Sequence, residues 1–187
     1  MIKTERFEKV EVASAPALRD WLAAHHQRAE GVWLVTFKKH VAGKYVSRDE
    51  VLDELVAYGW IDGVRRVLDE DRTMQLISPR RTQAWAKTYK DRAAILIDGG
   101  RMAPPGLRSI EEGKASGLWS FFDDVDALIA PPDLVERLEM AKWAPLAPSY
   151  RRNLLRWLKL AKTPATREKR LTRIAEAVAK GERIPQM

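Results

Sequence analysis

The chain has 187 residues, of which 45% are hydrophobic and 32% are charged, with a formal net charge of +7 and no cysteine. This length suits one compact domain or two small ones, and the apolar content is enough for a sizeable core. The lack of cysteine excludes disulfides, thiolate metal sites and thiol nucleophiles. The positive charge is unevenly placed, because residues 148–187 hold 11 Lys or Arg against 3 Asp or Glu.

The N-terminal segment Met1–Glu8 is charged and has no apolar core, so we expect no signal peptide. No apolar run approaches the roughly 20 residues that a membrane-spanning helix needs. We therefore expect a protein that does not span a membrane and that resides in the cytoplasm. The lack of cysteine is compatible with that reducing compartment.

The first third of the chain combines helix and strand patterns. Pro16 follows a candidate cap at Ser14 and predicts a helix, and the β-branched and aromatic run Val32–Phe37 predicts a buried strand. The segment Ser47–Glu50 fits a capping box and predicts a second helix, which Gly59 would end.

The next segment predicts an antiparallel hairpin. Its strands would be Trp60–Leu68 and Arg72–Ile77, and the three acidic residues between them would form the connection. Pro79 would close the second strand, because proline cannot donate to a strand ladder. A helix is then predicted to open around Thr88–Asp91. It would carry Ala94, Ile95 and Ile97 and end at Gly99-Gly100.

Only helical patterns follow, and they predict helices after Pro104-Pro105, after Pro131-Pro132, through Tyr150–Ala161 and from Thr163 or Thr166. We therefore predict an α+β fold, with a small antiparallel sheet and packed helices in the N-terminal half and an all-helical C-terminal part. These parts are assigned to residues 1–102 and 103–187 and are expected to form one compact unit.

Several short motifs, taken in order, resemble the YdeI/OmpD-associated family. The motifs that carry this resemblance are Gly59-Trp60-Ile61-Asp62-Gly63, Pro79-Arg80-Arg81, Trp85, Lys87, Gly100-Arg101-Met102, Pro105-Gly106-Leu107, Ala161-Lys162 and Thr166-Arg167. They extend the resemblance over roughly Val32 to Gly181. The family is bacterial and is named for a link to bacteriocin protection and to an outer-membrane porin. The resemblance therefore implies a role in tolerance of antimicrobial peptides or stress.

The chain departs from the family pattern at polar positions. Ala86 and Tyr89 stand where the family usually has a Ser-x-x-Asn-like run, and Ala103 stands where a threonine often precedes the proline. A role that depends on those polar side chains is therefore not expected here.

The stretch from Gly59 to Lys87 also holds the candidate ligand-binding residues: Trp60, Asp62, Arg80, Arg81, Trp85 and Lys87. In the predicted hairpin Asp62 could pair with Arg80 or Arg81, either to line a binding pocket or as a structural salt bridge. The arginines and Lys87 could bind a phosphate or carboxylate, and Trp85 could stack on a ring or on an arginine. The alternative is a solvated basic loop with Trp85 in the core.

No catalytic residues are predicted. The three histidines do not have metal-ligand spacing, no serine has a neighbouring histidine, and no phosphate-binding loop motif occurs. We therefore predict no metal and no cofactor, and favour a binding protein for a small anionic ligand or a protein partner. One alternative is an enzyme that uses Asp62 as acid or base.

The basic C-terminal helices offer another alternative, which is weak binding of nucleic acid. The residues that would contact phosphates are Arg151, Arg152, Arg156, Lys159, Arg167 and Arg170. The same charges also suit the solvated faces of two amphipathic helices. No sequence motif for specific nucleic-acid recognition accompanies them.

Overall fold

A computed structural model describes residues 7–184 of the chain. The chain divides into two compact units, the first ending at Trp119 and the second beginning at Ser120. The helix Pro104–Ala115, which follows the boundary assigned from the sequence, belongs to the first unit.

The first unit contains a four-stranded sheet. Its strands are β1 (Lys9–Glu11), β2 (Val32–Phe37), β3 (Trp60–Val67) and β4 (Arg72–Pro79). Their order across the sheet is β1-β2-β4-β3. The hairpin of β3 and β4 is antiparallel, as is the pair of β2 and β4. The predicted α+β class is confirmed.

The sheet is mixed and not purely antiparallel, because β1 pairs with β2 in parallel. Strand β1 is not among the predicted strands, and the prediction of an antiparallel sheet is wrong at this edge. A strand of three residues is too short for a period-two pattern to show. Helix α1, Ala15–His25, forms the crossover that a parallel pair requires.

The other helices of the first unit are α2 (Arg48–Ala57), α3 (Lys87–Asp98) and α4 (Pro104–Ala115). The predicted capping box is confirmed, since the Ser47 hydroxyl accepts from the Glu50 amide while the Glu50 carboxylate accepts from the Ser47 amide. Helix α3 begins at Lys87, one residue before the predicted start. It buries Ala93 and Leu96.

Two residues predicted to form the apolar pattern of α3, Ile95 and Ile97, are instead 71% and 49% exposed. The reason is the face that α3 turns towards α2. Ala93 and Leu96 are three residues apart and so share one side of the helix, and they join a core cluster with Val56 of α2. Ile95 and Ile97 lie outside that contact face.

One face of the sheet is covered by α1 and α2. Leu34 and Ile77 of the sheet, Leu18 of α1 and Leu55 of α2 are each fully buried in this cluster. A second cluster forms beside it from Val56, Ala57, Trp85, Ala93, Leu96 and Ile110. The stretch from Arg80 to Ala86 therefore links the end of the sheet to a second apolar core.

A network of ion pairs connects four segments of the first unit, namely α1, α2, α3 and the loop that follows α3. Glu54 is only 3% exposed, and its two carboxylate oxygens accept from Arg19 at 2.8 Å and from Arg101 at 2.9 Å. Asp53 accepts from Arg92 and Arg101. Because every buried charge in this network has an opposite partner, we interpret the network as structural.

The second unit is helical, as predicted. Its helices are α5 (Asp123–Asp126), α6 (Pro132–Val135), α7 (Met140–Trp143), α8 (Pro148–Lys159) and α9 (Pro164–Lys180). Thr163 caps α9 by accepting from the Thr166 amide, and Gly181 ends it in the left-handed conformation with φ of 69°. The main buried side chains are Leu134, Trp143, Leu154, Leu155, Leu158, Leu171, Ile174 and Val178. Within residues 7–184 none of the helices has the length and apolarity to cross a membrane.

Candidate functional site

Arg80 is the cation at the centre of the candidate site. It follows directly after β4, and its amide donates to the Gly59 carbonyl at 2.9 Å, which fixes its position beside the start of β3. The guanidinium carbon lies 4.0 Å from the centre of the Trp85 ring and 4.8 Å from that of Tyr89. Both distances are within the range of cation–π attraction.

The Trp85 ring has a fixed place under this cation. Trp85 is 1% exposed, and its amide donates to the Leu118 carbonyl at 2.9 Å. A Cβ atom at Gly113 of α4 would come within 2.5 Å of the Trp85 indole nitrogen, so only glycine lets the ring fit there. Trp85 lies in the core, as the alternative interpretation predicts, and its ring also stacks on an arginine.

Asp62 lies in β3 on the same side of the sheet as the buried Ile77 with which it is paired. One of its carboxylate oxygens accepts a hydrogen bond from the Tyr89 hydroxyl, and the other accepts from the Gln75 amide nitrogen at 3.0 Å. The register of β3 against β4 shifts between Asp62 and Arg65. Such irregularities bend a strand and redirect its side chains, and they are common next to functional sites.

The environment perturbs the two titrating groups around Asp62. Burial raises the pKa of Tyr89 to about 12, and its hydrogen bond to Asp62 acts in the same direction because it holds the phenol proton. Burial lowers the pKa of Arg80 to about 10, against the opposing effect of the oxygen atoms of Tyr89 and Asp62. A guanidinium with a pKa in that range is still fully charged at neutral pH.

Arg80 thus keeps a positive charge in a half-buried place without a direct anionic partner. One of its terminal nitrogens donates to the Gln83 carbonyl at 3.1 Å, and its Nε is buried and makes no hydrogen bond. Among the described residues no carboxylate forms an ion pair with it. The predicted pairing of Asp62 with Arg80 is therefore electrostatic proximity and not a salt bridge, because Asp62 is held by Tyr89 and Gln75.

Three of the six candidate residues lie outside this group. Trp60 is 1% exposed in the first core cluster, where its indole donates to the His26 carbonyl at 3.3 Å. Arg81 donates to the Ala29 carbonyl at 2.8 Å, and Lys87 pairs with Asp91 one turn further along α3. The structure brings together Asp62, Arg80 and Trp85.

Gln75 and Tyr89 complete the set, and neither is among the candidate residues predicted from the sequence. We name the five residues Asp62, Gln75, Arg80, Trp85 and Tyr89 the Arg80 cluster. A signal for Gln75 was present in the sequence. Gln75 lies two residues before Ile77, so both side chains face the core side of β4. A buried polar residue at such a position needs a polar partner. Tyr89 was noted only as a departure from a family pattern.

The basic residues of the second unit are largely engaged within it. Lys159 pairs with Asp124, Arg167 holds both carboxylate oxygens of Asp133, and Arg152 lies 3.8 Å from Asp126. Two others lie over aromatic rings, Arg156 on Phe122 at 4.6 Å and Arg170 on Trp157 at 5.0 Å. Arg151 is half-buried. These contacts remove most of the continuous free positive surface that phosphate-backbone binding would use.

The Arg80 cluster can offer a fixed cation, an amide and a phenol–carboxylate pair. Of these groups the cation suits the recognition of an anionic group, whereas the amide and the phenol already donate to the Asp62 carboxylate. Among the described residues, no group of three His, Asp or Glu side chains is arranged to hold a metal ion.

Comparison with known families gives two matches, and no curated protein or solved structure matches the chain. Residues 10–109 match the family described as Domain of unknown function (DUF8412). Residues 127–181 match the family described as Bacteriocin-protection, YdeI or OmpD-Associated.

The second match confirms the resemblance drawn from the sequence, but over a shorter stretch. Of the motifs that carried it, Ala161-Lys162 and Thr166-Arg167 lie in the matched segment, whereas those between Gly59 and Leu107 lie in the other family's match. The Arg80 cluster is therefore part of the domain of unknown function. The chain belongs to the DUF8412 family through its N-terminal part and carries a Bacteriocin-protection, YdeI or OmpD-Associated segment in its C-terminal part.

Proposed function

We propose that this protein contributes to protection against bacteriocins and that its Arg80 cluster binds the anionic group of a small ligand. The link to protection comes from the family matched by residues 127–181. The link to an anion comes from one observation, the half-buried charge of Arg80 without a carboxylate partner among the described residues. Removing a charge from water is costly unless an opposite charge or hydrogen bonds compensate, and a bound anion would supply that compensation.

The ligand group that fits best is a carboxylate or a phosphate. Arg80 presents a planar fork of donors, and such forks bind these groups through two parallel hydrogen bonds. The Trp85 and Tyr89 rings hold the guanidinium in place before a ligand arrives, which reduces the entropy lost on binding. Trp85 itself is too buried to stack on a ligand.

The substitution Arg80→Gln tests this proposal, with Arg81→Gln as the matched control on the neighbouring cation. We expect both variants to fold, as checked by circular dichroism. In thermal unfolding with acetate and with inorganic phosphate as probes, wild type and Arg81→Gln should be stabilised by at least one of them, because a ligand that binds only the folded state raises its stability. Arg80→Gln should lose that stabilisation.

A survival experiment tests whether the Arg80 cluster is needed for protection against bacteriocins. A bacteriocin-sensitive strain that expresses the full chain should survive better than the empty strain. Arg80→Gln should abolish this protection while Arg81→Gln keeps it. If Arg80→Gln protects as well as wild type, the cluster is not the functional site. If neither the wild type nor the control protects, the assignment to bacteriocin protection is wrong.

Residence in the cytoplasm stays a prediction. Fractionation of cells that express the full chain tests it, and recovery of the chain in the periplasmic fraction would contradict it.

A further inference from the structure

We propose a second ligand site, independent of the Arg80 cluster, for a small phosphate monoester with an apolar body. It lies in the second unit on helices α8 and α9. There a depression of about 490 Å³ is lined by Trp157, Ala165, Thr166, Lys169, Arg170 and Arg173. We name this depression the Trp157 site. Its volume lies within the range of roughly 300–1,000 Å³ that small-molecule sites occupy.

The charge of the lining points to an anion. Lys169, Arg170 and Arg173 contribute three positive charges, and no acidic residue lines the depression. Two acids near this face of α9 have partners elsewhere, and Glu176, which lies three residues beyond Arg173, does not line the depression. Glu168 holds Arg137 through both carboxylate oxygens at 2.6 and 3.0 Å, and Asp133 holds Arg167. The three lining cations are thus not neutralised by an ion pair among the described residues.

The geometry of α9 explains why these groups converge. Thr166, Lys169, Arg170 and Arg173 are spaced at positions i, i+3, i+4 and i+7, so they share one face of the helix. A hydroxyl and three cations on one face supply the mixture of neutral and charged donors that a phosphate with several oxygens can accept from.

Arg170 is the lining cation whose orientation is fixed by its neighbours. Its guanidinium carbon lies 5.0 Å from the centre of the Trp157 ring, and one terminal nitrogen donates to the Trp157 carbonyl. This holds Arg170 in one orientation, and its other terminal nitrogen makes no hydrogen bond within the lining. Lys169 and Arg173 are exposed and free to move towards a bound group. Trp157 adds an apolar wall for the rest of the ligand.

A small molecule fits these observations better than a nucleic-acid strand. Strand binding needs a basic track that follows many phosphates. Here the neighbouring cations Arg152, Lys159 and Arg167 are turned to acids of the same unit. Lys169, Arg170 and Arg173 therefore form a small group confined to one depression and not a continuous basic track. A single phosphate on a compact molecule matches that confinement.

Calorimetric titration of the full chain tests the proposal, with adenosine monophosphate as the probe and adenosine and inorganic phosphate as reference compounds. We expect the monophosphate to bind at least about 10-fold more tightly than adenosine, because an ionic hydrogen-bonded contact of 1.4 kcal/mol or more corresponds to that factor. Added salt should weaken binding, since two of the cations are exposed.

The variants Lys169→Gln and Arg173→Gln should each reduce the affinity for the monophosphate by about 10-fold. Lys162→Gln is the matched control, because Lys162 is an exposed cation of the same unit that does not line the depression. All three changes are on the surface and should leave the fold intact. The Arg80→Gln variant should keep the monophosphate binding that Lys169→Gln and Arg173→Gln reduce, which separates the two sites.

Three outcomes would overturn the proposal. One is the absence of binding heat with the monophosphate. The second is an unchanged affinity in both Lys169→Gln and Arg173→Gln. The third is tighter binding of a single-stranded oligonucleotide without terminal phosphates, which would make the ligand a nucleic-acid strand.

Discussion

Arg80 is the residue on which the proposed anion site of the first unit depends. Its side chain is half-buried yet remains a cation, because a guanidinium loses its proton only far above neutral pH. Two aromatic faces and a backbone carbonyl take the place of water around it, and none of these neutralises the charge. Electrostatic energy is therefore available to any anion that reaches it, and this is why we assign the binding role to Arg80 and not to its neighbour Arg81.

The ionisation of Tyr89 gives a prediction about how stability depends on pH. Its pKa is raised from 10.0 to about 12 in the folded chain, so the folded state holds the phenol proton more tightly than the unfolded state does. Its contribution to stability is therefore complete below pH 10 and is lost as the pH rises towards 12. Ultraviolet titration of the folded protein should show one tyrosine that ionises near pH 12.

Tyr89→Phe should remove this late ionisation step, and Tyr45→Phe should keep it, because Tyr45 is 46% exposed and lies away from Asp62. The chain has four tyrosines, so one missing step is measurable. Loss of the late step in Tyr45→Phe and not in Tyr89→Phe would show that the hydrogen bond to Asp62 is assigned to the wrong residue.

At the scale of elements, the Arg80 cluster depends on the close approach of α4 to the chain between β4 and α3. Gly113 is buried in α4, and the Trp85 ring lies directly against it. Helix and ring can come this close only where no side chain stands between them. The position of α4 thereby sets the position of Trp85, on which the Arg80 guanidinium rests.

Gly113→Ala should destabilise the protein by about 1–3 kcal/mol, because the added methyl group overpacks the site by more than the helix gains from alanine. It should also displace Trp85 and weaken anion binding at Arg80. Glu112→Ala is the matched control, since Glu112 is an exposed neighbour in the same helix. Urea unfolding measures the difference, and equal stability of the two variants would contradict the packing described for α4.

The elements show how far the sequence could predict the fold and the site. The capping box before α2 and the hairpin of β3 and β4 were predicted because their signals are local, lying in a few adjacent residues. Strand β1 was missed because its three residues gain their structure from β2. Ile95 and Ile97 were assigned to the apolar pattern of α3 because composition does not reveal which face meets α2.

The same reasoning applies to the site. Asp62, Arg80 and Trp85 could be proposed because the hairpin brings the start of β3 beside the end of β4. Arg81 and Lys87 were included only because they are close in sequence, and their side chains leave in other directions. Gln75 and Tyr89 belong to the cluster because of the register of the strands and the position of α3. Neither the register nor the helix position can be predicted from a short run of residues.

At the scale of the whole molecule, the division into two compact units agrees with the two family matches, which end and begin on either side of it. Each unit has buried apolar side chains of its own. Both units share the positive charge, since residues 1–119 hold 20 Lys or Arg against 17 Asp or Glu and residues 120–187 hold 13 against 9. The Arg80 cluster lies in the first unit and the Trp157 site in the second. The two proposed anion sites are thus built by separate parts of the chain.

This division predicts that residues 1–119 fold without the rest. The fragment should unfold in one cooperative urea transition, because it contains both core clusters of the first unit. A fragment of residues 1–102 is the control. It lacks α4, including Ile110 and Gly113. The Trp85 ring would then lose the helix that packs against it, and the fragment should fold poorly. Gradual unfolding of the longer fragment, or equal stability of the two fragments, would contradict a unit boundary after Trp119.

The place of β4 between β2 and β3 has a consequence for amide hydrogen exchange. Its backbone is bonded on both sides, so its amides should exchange with deuterium among the slowest of the first unit. Arg80 stands where this protected strand gives way to a loop. In that loop the amides of residues 82–84 should exchange fast, whereas the Arg81 amide donates to the Gln83 side chain. A ligand on Arg80 would sit at that boundary, and the protected region would then lengthen by a few residues towards Trp85 without any change in the strand itself.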